Sequence, residues 1–597
     1  MVDTACKPAA GAERVRVTID GIETTVAHGS TILDAARAAG VEIPTLCYLH
    51  EINEIGACRI CVVEVEGVSH LVAACNSPVS DGMTVRTDTQ RVRSARRTNL
   101  QLILSRHDRR CPTCFRNGTC LLQSLADRMA IHDVPFPTRF DTTPIDKRFP
   151  LVKEPAKCIS CLRCVSVCEK RQALSVWALV DSGSRSRVDA VAKDRCSYCG
   201  QCITHCPTGA LHERSDIARV FDALEDDEMI TIAQIAPSVR TSWHEGLGLD
   251  ARDATTGRLT AAVRKLGFDY VFDTDFAADM TIMEEGSELL HRLDSGASGP
   301  MFTSCCPGWV RFLKARYPHM VPLLSTTKSP QQIFGALAKT YYAELLGVDP
   351  SKLFVAAYMP CIAKKAECAY PGHAVTDAGF DVDAVLTVRE LQRQIKSRFV
   401  NVGLLEEEEF DAPLGTASGA GHIFGVTGGV MEAALRSACF LATGENPDPD
   451  AFSEVRYDGI DKGWREQTFS FAGRTLRVAT ASGLANADAL CAAIDAGEAH
   501  YDFVEVMACP GGCVGGGGQP VCEGLERAAP RGMRLRAIDA CSPLRFSHEN
   551  PAVQACYDDF LGAPPSDKAE RLLHGSHDAW SMPCFVGVDG PIDAARP

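Results

Sequence analysis

The chain of 597 residues holds no apolar run of about 18 residues, the length needed to cross a bilayer. Nor does Met1 to Val26 contain the apolar stretch of a secretory signal. No G-x-G-x-x-G follows a strand pattern and opens a helix, so no nicotinamide or flavin site is expected within the chain. Positive charge is in deficit: the net charge of −15 favours solubility and argues against nucleic-acid binding. These absences predict a cytoplasmic protein with no membrane span and no nucleic-acid partner, where thiols stay reduced. The 28 cysteines are clustered, and too sparse for a small disulfide scaffold, so they read as metal sites. At this length several domains and at least one large core are expected.

Residues Arg14 to Ala27 alternate around Asp20-Gly21, a hairpin signal, and Ser30 is placed to cap a short helix through Ala39 that Gly40 stops. Cys47, Cys58, Cys61 and Cys75 follow with the spacing C-x10-C-x2-C-x13-C. Four thiolates of this kind suit a [2Fe–2S] centre; the bland alternative is four buried structural cysteines. The segment resembles the N-terminal ferredoxin-like domain shared by long [FeFe]-hydrogenases and the large subunit of respiratory complex I. Arg86 to Arg110 then carries eight arginines, with Val92, Ala95, Leu102 and Ile103 suggesting an apolar helical stripe. A solvated basic face is the plain reading; docking of an acidic electron carrier is the alternative.

His107, Cys111, Cys114 and Cys120 form H-x3-C-x2-C-x5-C. Zinc accepts that ligand set, while the spacing resembles the His/Cys3 [4Fe–4S] site of the same two families. A neutral imidazole makes such a cluster less negative and so raises its potential. Cys158, Cys161, Cys164 and Cys168, then Cys196, Cys199, Cys202 and Cys206, repeat C-x2-C-x2-C-x3-C, the two-cluster ferredoxin signature in which each fourth cysteine serves the other cluster. Glu169 replaces the usual proline, and 27 residues between the halves predict a longer loop or helix. Fifteen cysteines and one histidine therefore make a wire of one [2Fe–2S] and three [4Fe–4S] centres, one of them His-ligated. A wire implies a redox end.

Beyond about residue 215 the pattern becomes α/β, with buried strands expected at Ile230–Ala236, Leu353–Ala357 and Phe503–Met507. Cys306, Cys361 and Cys509 each fall just past the carboxyl end of a strand, where open α/β sheets place ligands. The glycine run Gly511 to Gly518 would let backbone approach something bulky.

Three segments carry a specific resemblance: Thr303-Ser-Cys-Cys-Pro-Gly-Trp309, Met359-Pro-Cys-Ile-Ala-Lys-Lys-Ala-Glu367 and Met507-Ala-Cys-Pro-Gly-Gly-Cys-Val-Gly-Gly-Gly-Gly-Gln519. They resemble the signature motifs of [FeFe]-hydrogenases, which catalyse 2H⁺ + 2e⁻ ⇌ H₂. The resemblance implies that Cys306, Cys361, Cys509 and Cys513 bind the [4Fe–4S] half of an H-cluster. It further implies that Cys513 bridges to a two-iron subsite carrying CO, cyanide and azadithiolate, installed by maturation proteins. Cys305 would exchange protons with the azadithiolate amine, Lys364 would bond one cyanide, and Pro237 and Ser238 the other. Met359 and Met507 would pack on the subsite. Glu285 and Glu288, three apart, and Ser325 would relay protons; a solvated helix face is the alternative for the glutamates.

The expected architecture is multidomain α+β and α/β: a [2Fe–2S] domain (1–85), a His/Cys3 domain (86–137), a two-cluster ferredoxin domain (138–215), a large H-cluster domain (216–577) and a short tail (578–597). The electron partner is ferredoxin or an NAD(P)-linked flavoprotein subunit of an electron-bifurcating assembly. The competing functions are a hydrogen-sensing relative with little turnover and a complex I-type electron carrier. Ile362 and Ala366 depart from the commoner family residues, His422 reads as a satisfied structural histidine, and Glu406 to Glu409 as an exposed acidic loop. Cys6, Cys368, Cys439, Cys491, Cys522, Cys541, Cys556 and Cys584 show no cluster spacing and read as core residues or surface thiols.

Overall fold

The alternation around Asp20-Gly21 folds into β1 (Arg14–Ile19) and β2 (Ile22–Ala27), paired antiparallel with Ile19 opposite Ile22. Asp20 and Gly21 take φ of 49° and 86°, the left-handed pair a tight hairpin needs. The computed structural model describes residues 13–457, 463–521, 527–587 and 590–592, so Cys6 and Cys522 lie outside the described residues. The helix Ile32–Ala38 is capped by Thr31 rather than Ser30, because Thr31 and Asp34 form a reciprocal capping box. β3 (Val62–Val65), β4 (Val72–Ala73) and β5 (Met83–Arg86) complete a sheet of order β2-β1-β5-β3-β4.

The arginine-rich segment is a helix, Gln90–Ser105, but its buried stripe is Val92, Arg96, Leu100 and Leu104 at four-residue spacing. Leu102, assigned to the stripe from the sequence, is 45% exposed. The basic stretch is thus not wholly a solvated face, since Arg96 turns inward and donates to the Val62 carbonyl at 2.9 Å.

β6 (Leu151–Lys153) opens the two-cluster module, and the long insertion between its halves is a hairpin, β7 (Trp177–Val180) and β8 (Arg187–Ala190), rather than a loop or helix. β9 (Leu211–Glu213) closes the module by pairing with β6.

Eight further strands build the large domain: β10 (Ile230–Ile235), β11 (Tyr270–Asp273), β12 (Met301–Phe302), β13 (Leu353–Met359), β14 (Ala384–Thr387), β15 (Trp464–Phe471), β16 (Arg474–Ser482) and β17 (Phe503–Met507). One sheet runs β11-β10-β13-β14, all parallel. The other runs β12-β17-β16-β15, parallel except for the β15 edge. β13 and β17 are buried at every residue, as expected of strands covered on both faces. Among the described residues no helix is long and apolar enough to cross a membrane.

The segment after 577 is not a loose tail. Trp580 is buried and stacks on Tyr370 at 4.3 Å, and Phe585 meets Phe149 at 5.8 Å, strapping the large domain to the two-cluster module. Buried charges join the same two parts. Glu213 accepts from Arg389 at 2.6 Å and Arg393 at 2.7 Å; beside them, within the large domain, Lys365 lies between Asp216 at 2.7 Å and Glu390 at 2.9 Å.

The glycine run has a structural reason within the fold itself. A Cβ on Gly517 would sit 2.3 Å from the Cys199 carbonyl and 2.6 Å from Gly200 Cα; one on Gly516 would sit 2.3 Å from the Pro360 carbonyl. These glycines let three backbone segments touch one another. Gly517→Ala should therefore destabilise the fold by about 1–3 kcal/mol, the usual cost of overpacking. Chemical denaturation measures this, and an unchanged midpoint would refute the close approach.

Candidate active site

Parallel strands deliver their carboxyl ends to one side of a sheet. β12 leads into Cys305 and Cys306, β13 into Cys361, β17 into Cys509 and Cys513, and β10 into Pro237 and Ser238. Cys306 precedes the helix Pro307–Arg316, and its sulfur accepts from the Ala508 N–H at 3.5 Å. The Cys361 thiol is pushed up to about 12 by burial and by Cys306 beside it; burial, then Cys306 and Cys361, likewise raise Cys513. Burial and the thiols of Cys199, Cys361 and Cys306 raise Cys509. Four thiols, Cys509 buried and Cys306, Cys361 and Cys513 half-buried, that repel one another's ionisation suit a cationic metal core, which would bind all four as thiolates. The donor set therefore fits an iron–sulfur cluster.

Cys305 is half-buried next to this group, and burial followed by the Glu285 charge raises its thiol. Glu285 and Glu288 lie on the helix Thr274–Ser295. Glu285 is 1% exposed, and burial, then Glu288 and Glu505, push it up to about 8. Its Oε2 is buried without a hydrogen-bond partner. Ser325 donates to Glu288 at 2.7 Å, and the Thr326 N–H bonds both oxygens of Glu288 at 3.1 Å. Glu288 is half-buried, so the series runs from a sealed interior toward solvent.

Lys364 donates to Glu367 at 2.8 Å and to the Cys305 carbonyl at 3.2 Å. Burial pulls its ammonium down, but Glu367 outweighs this and holds it above its ordinary value. Pro237 opens a short 3₁₀ turn, and the Ser238 hydroxyl beside it is buried with no partner, a donor free for a ligand. Met359 and Met507 end β13 and β17, both buried. Met507 packs with Cys305 and Cys306. These features fit a further group bound beside the four thiols.

Two carboxylates escaped the sequence reading. Glu505, central in β17, accepts from the N–H groups of Gly428 at 2.7 Å and Met431 at 2.8 Å. Burial pushes it up to about 7. A charge inside the run Phe503–Met507 was the available signal. Glu284 accepts from Tyr557 at 2.5 Å and His574 at 3.0 Å, which no local pattern reveals.

In the N-terminal sites, the free thiols of Cys47 and Cys58 lie beside each other, as do those of Cys61 and Cys75. His107 is buried, its Nδ1 has no partner, and burial lowers its pKa, keeping the neutral form that binds metal. Cys111 and Cys114 are half-buried and Cys120 is buried. Cys158, Cys161, Cys164 and Cys206 line one cavity. Cys168 instead neighbours Cys199 and Cys196, and Cys202 neighbours Cys199, Cys168 and Cys196. Cys206 thus lies with the first three cysteines and Cys168 with the second set, while Cys164 also approaches Cys202.

His422 joins Asp273 and Asp275 in a group tight enough for an ion, but Arg240 occupies its centre. Arg240 reaches Asp275 at 2.6 Å, Asp273 at 2.8 Å and His422 Nδ1 at 2.7 Å, a structural ion cluster.

The fold and donor sets define an iron–sulfur oxidoreductase with a buried multi-thiol centre. Residues 229–517 match the family described as iron only hydrogenase large subunit, C-terminal domain, and 525–580 match iron hydrogenase small subunit. Residues 12–90 match a 2Fe-2S iron-sulfur cluster binding domain, 96–135 the NADH-ubiquinone oxidoreductase-G iron-sulfur binding region, and 157–210 a 4Fe-4S dicluster domain. The NADP-reducing hydrogenase subunit HndD of Solidesulfovibrio fructosivorans is 46% identical over 94% of this chain and 98% of that protein. Iron hydrogenase 1 of Clostridium pasteurianum is 38% identical over 94% and 99%. A solved variant of [FeFe]-hydrogenase HydA1 from Chlamydomonas reinhardtii is 39% identical, covers 63% of this chain and 100% of its own, and superposes with a TM-score of 0.55. The chain belongs to the iron-only, or [FeFe]-, hydrogenase family.

A carboxyl whose folded pKa lies above its ordinary value holds its proton more tightly when folded, so stability falls as pH climbs from the carboxylate range through about 8. Glu285→Gln removes that titration. Its unfolding free energy should decline less steeply than the parent's between about pH 5 and 8.5; parallel declines in chemical denaturation would contradict a raised Glu285.

Proposed function

We propose that this chain interconverts protons and H₂, 2H⁺ + 2e⁻ ⇌ H₂, with electrons and protons reaching a buried centre from opposite sides. The observation that carries this is the line from Cys305 past buried Glu285 to the Ser325–Glu288 hydrogen bond, which leaves the four-thiol pocket toward solvent. Cys306, Cys361, Cys509 and Cys513 would hold the iron–sulfur part of an H-cluster, whose two-iron part would sit on the Cys305 side of this pocket. The bound cofactor supplies the redox chemistry that makes and breaks the H–H bond. Lys364 and Ser238 would orient it as hydrogen-bond donors, Pro237, which has no N–H, would shape the turn that presents Ser238, and Met359 and Met507 would exclude water around it. Cys305 passes protons at its sulfur. Glu285, neutral below about pH 8, carries a proton in the interior, and Ser325 connects it with Glu288 at the wet end.

Cys47, Cys58, Cys61 and Cys75 would hold a [2Fe–2S] cluster, and His107, Cys111, Cys114 and Cys120 a [4Fe–4S] cluster. The crossed sets Cys158, Cys161, Cys164 with Cys206, and Cys196, Cys199, Cys202 with Cys168, would hold two more. Iron is favoured over zinc at His107 by the match to an iron-sulfur binding region there. We assign the electron partner to an NAD(P)-linked flavoprotein subunit, because the 46% identical relative is an NADP-reducing hydrogenase subunit. Ferredoxin is the alternative. A cytoplasmic location and dependence on maturation proteins belong to this reading.

A second reading is supported by the mouse cytosolic iron-sulfur assembly component 3, 30% identical over 66% of this chain and 85% of that protein. The intact series Cys305, Glu285, Ser325 and Glu288 favours turnover over that role or hydrogen sensing.

Cys305→Ala in fully matured protein should keep the CO and cyanide infrared bands yet lose at least about 100-fold in viologen-driven H₂ evolution, the scale of a lost acid–base group. Near-parental turnover would remove Cys305 from the proton route. Glu285→Gln should slow evolution similarly at unchanged iron content, and an unaffected rate would exclude it from the relay.

A further inference from the structure

Nine arginine side chains are buried among the described residues, and they fall into two groups. Arg214, Arg240, Arg389, Arg436 and Arg531 each meet a carboxylate at 2.6–3.0 Å. Arg96, Arg116, Arg163 and Arg311 are 8%, 7%, 5% and 0% exposed, yet among the described residues none has a carboxylate within 4.0 Å. Each of these four keeps a buried guanidinium nitrogen without a hydrogen-bond partner, Nε in Arg96 and Arg163, Nε and Nη1 in Arg116 and Nη2 in Arg311, as Arg240 and Arg436 do at Nε, so it is the missing carboxylate that sets the four apart.

All four lie against cysteines read as iron ligands. Arg96 donates to the carbonyl of Val62, the residue after Cys61, at 2.9 Å. Arg163 stands in the chain between Cys161 and Cys164 and donates to the carbonyl of Tyr48, the residue after Cys47, at 2.9 Å. It therefore spans two cluster sites. Arg116 lies between Cys114 and Cys120, and a Cβ added to Gly209 would meet both Cys114 sulfur and Arg116 Cγ, so the His/Cys3 loop and the Cys206 turn share this side chain. Arg311 donates from Nε to the Cys196 carbonyl at 2.9 Å, bonds the Tyr370 hydroxyl at 3.2 Å and lies 4.4 Å over the Tyr198 ring.

A guanidinium does not shed its proton inside a protein, and burying its charge without an anion is costly. Carbonyls, a phenol and a ring face only soften that cost. For Arg96, Arg116 and Arg163 a cluster thiol is the first group opposing the burial that lowers their pKa values; Arg311 faces the Tyr370 and Tyr198 phenols, which burial keeps protonated, then the Cys196 thiol, with Cys584 also beside it. We propose that Arg96, Arg116, Arg163 and Arg311 are the counter-ions of the accessory iron–sulfur clusters and set their reduction potentials. This rests on the ligand assignment under Proposed function. Adding an electron makes a cluster more negative, so a fixed positive charge beside it favours the reduced form. Arg163 and Arg116, each shared by two sites, also screen one cluster's charge from the next.

The test is an EPR-monitored redox titration of the matured full chain with iron counted in each sample. Arg311→Met should lower the potential of the Cys168/Cys196/Cys199/Cys202 cluster enough to change its oxidised-to-reduced ratio tenfold at fixed potential, about 59 mV for one electron. Arg311→Lys, which keeps the charge, should stay near the parent. Equal potentials in parent and Met variant would overturn the proposal. If Met costs the cluster, retention in the Lys variant supports a charge role, while loss in both assigns Arg311 to packing and overturns it. Absence of iron–sulfur signals from the parent chain would instead refute the ligand assignment itself.

Discussion

One backbone contact organises the molecule: the glycine loop after Cys513 lies directly on the Cys199–Gly200 turn of the two-cluster module. No side chain fits between them, so the Cys509 thiol comes within 3.7 Å of the Cys199 carbonyl. The two-cluster module and the four-thiol pocket thus share one wall. Arg389 secures the arrangement, bonding Glu213 of the module at 2.6 Å and the Gly517 carbonyl at 2.8 Å. Buried ion pairs contribute little net stability, yet breaking one leaves an uncompensated charge. Their effect here is to penalise every other orientation of the two parts.

The interior handles charge in three ways, according to what each region must pass. Around Arg240, Arg389 and Arg436, opposite charges meet and cancel, leaving rigid structure. Near the pocket, burial raises Glu285 to about 8 and Glu505 to about 7, so protonation offsets burial at Glu285, while Glu505 also has the Gly428 and Met431 N–H groups as partners. Along the electron side, arginines without carboxylates stand against thiol sets. Protons and electrons need different solutions because a carboxyl can gain or lose its charge, whereas a guanidinium offers a permanent one.

Much was legible in the sequence where function depends on short-range spacing. The cysteines proposed as cluster ligands sit on tight turns, so their offsets appear as motifs, including the placing of Cys206 with the first set and Cys168 with the second. The Asp20-Gly21 hairpin and the strands leading to Cys361 and Cys509 were readable because alternation, turn chemistry and unbroken apolar runs are local. The shift from Ser30 to Thr31 as helix cap is a one-residue matter that the Asp34 side chain decides.

The remainder depended on which distant segments meet. The sequence by itself determined the family, the ligand types and the order of modules, since these follow from residue identity and spacing. Tertiary structure alone decided that the glycines serve backbone contact, that the C-terminal segment is a strap, and that Arg96 points inward while Leu102 points out. It also brought Glu505 against the pocket and left four arginines beside thiols instead of carboxylates. Burial and electrostatic partnership are properties of a site's whole surroundings, which a linear pattern does not contain.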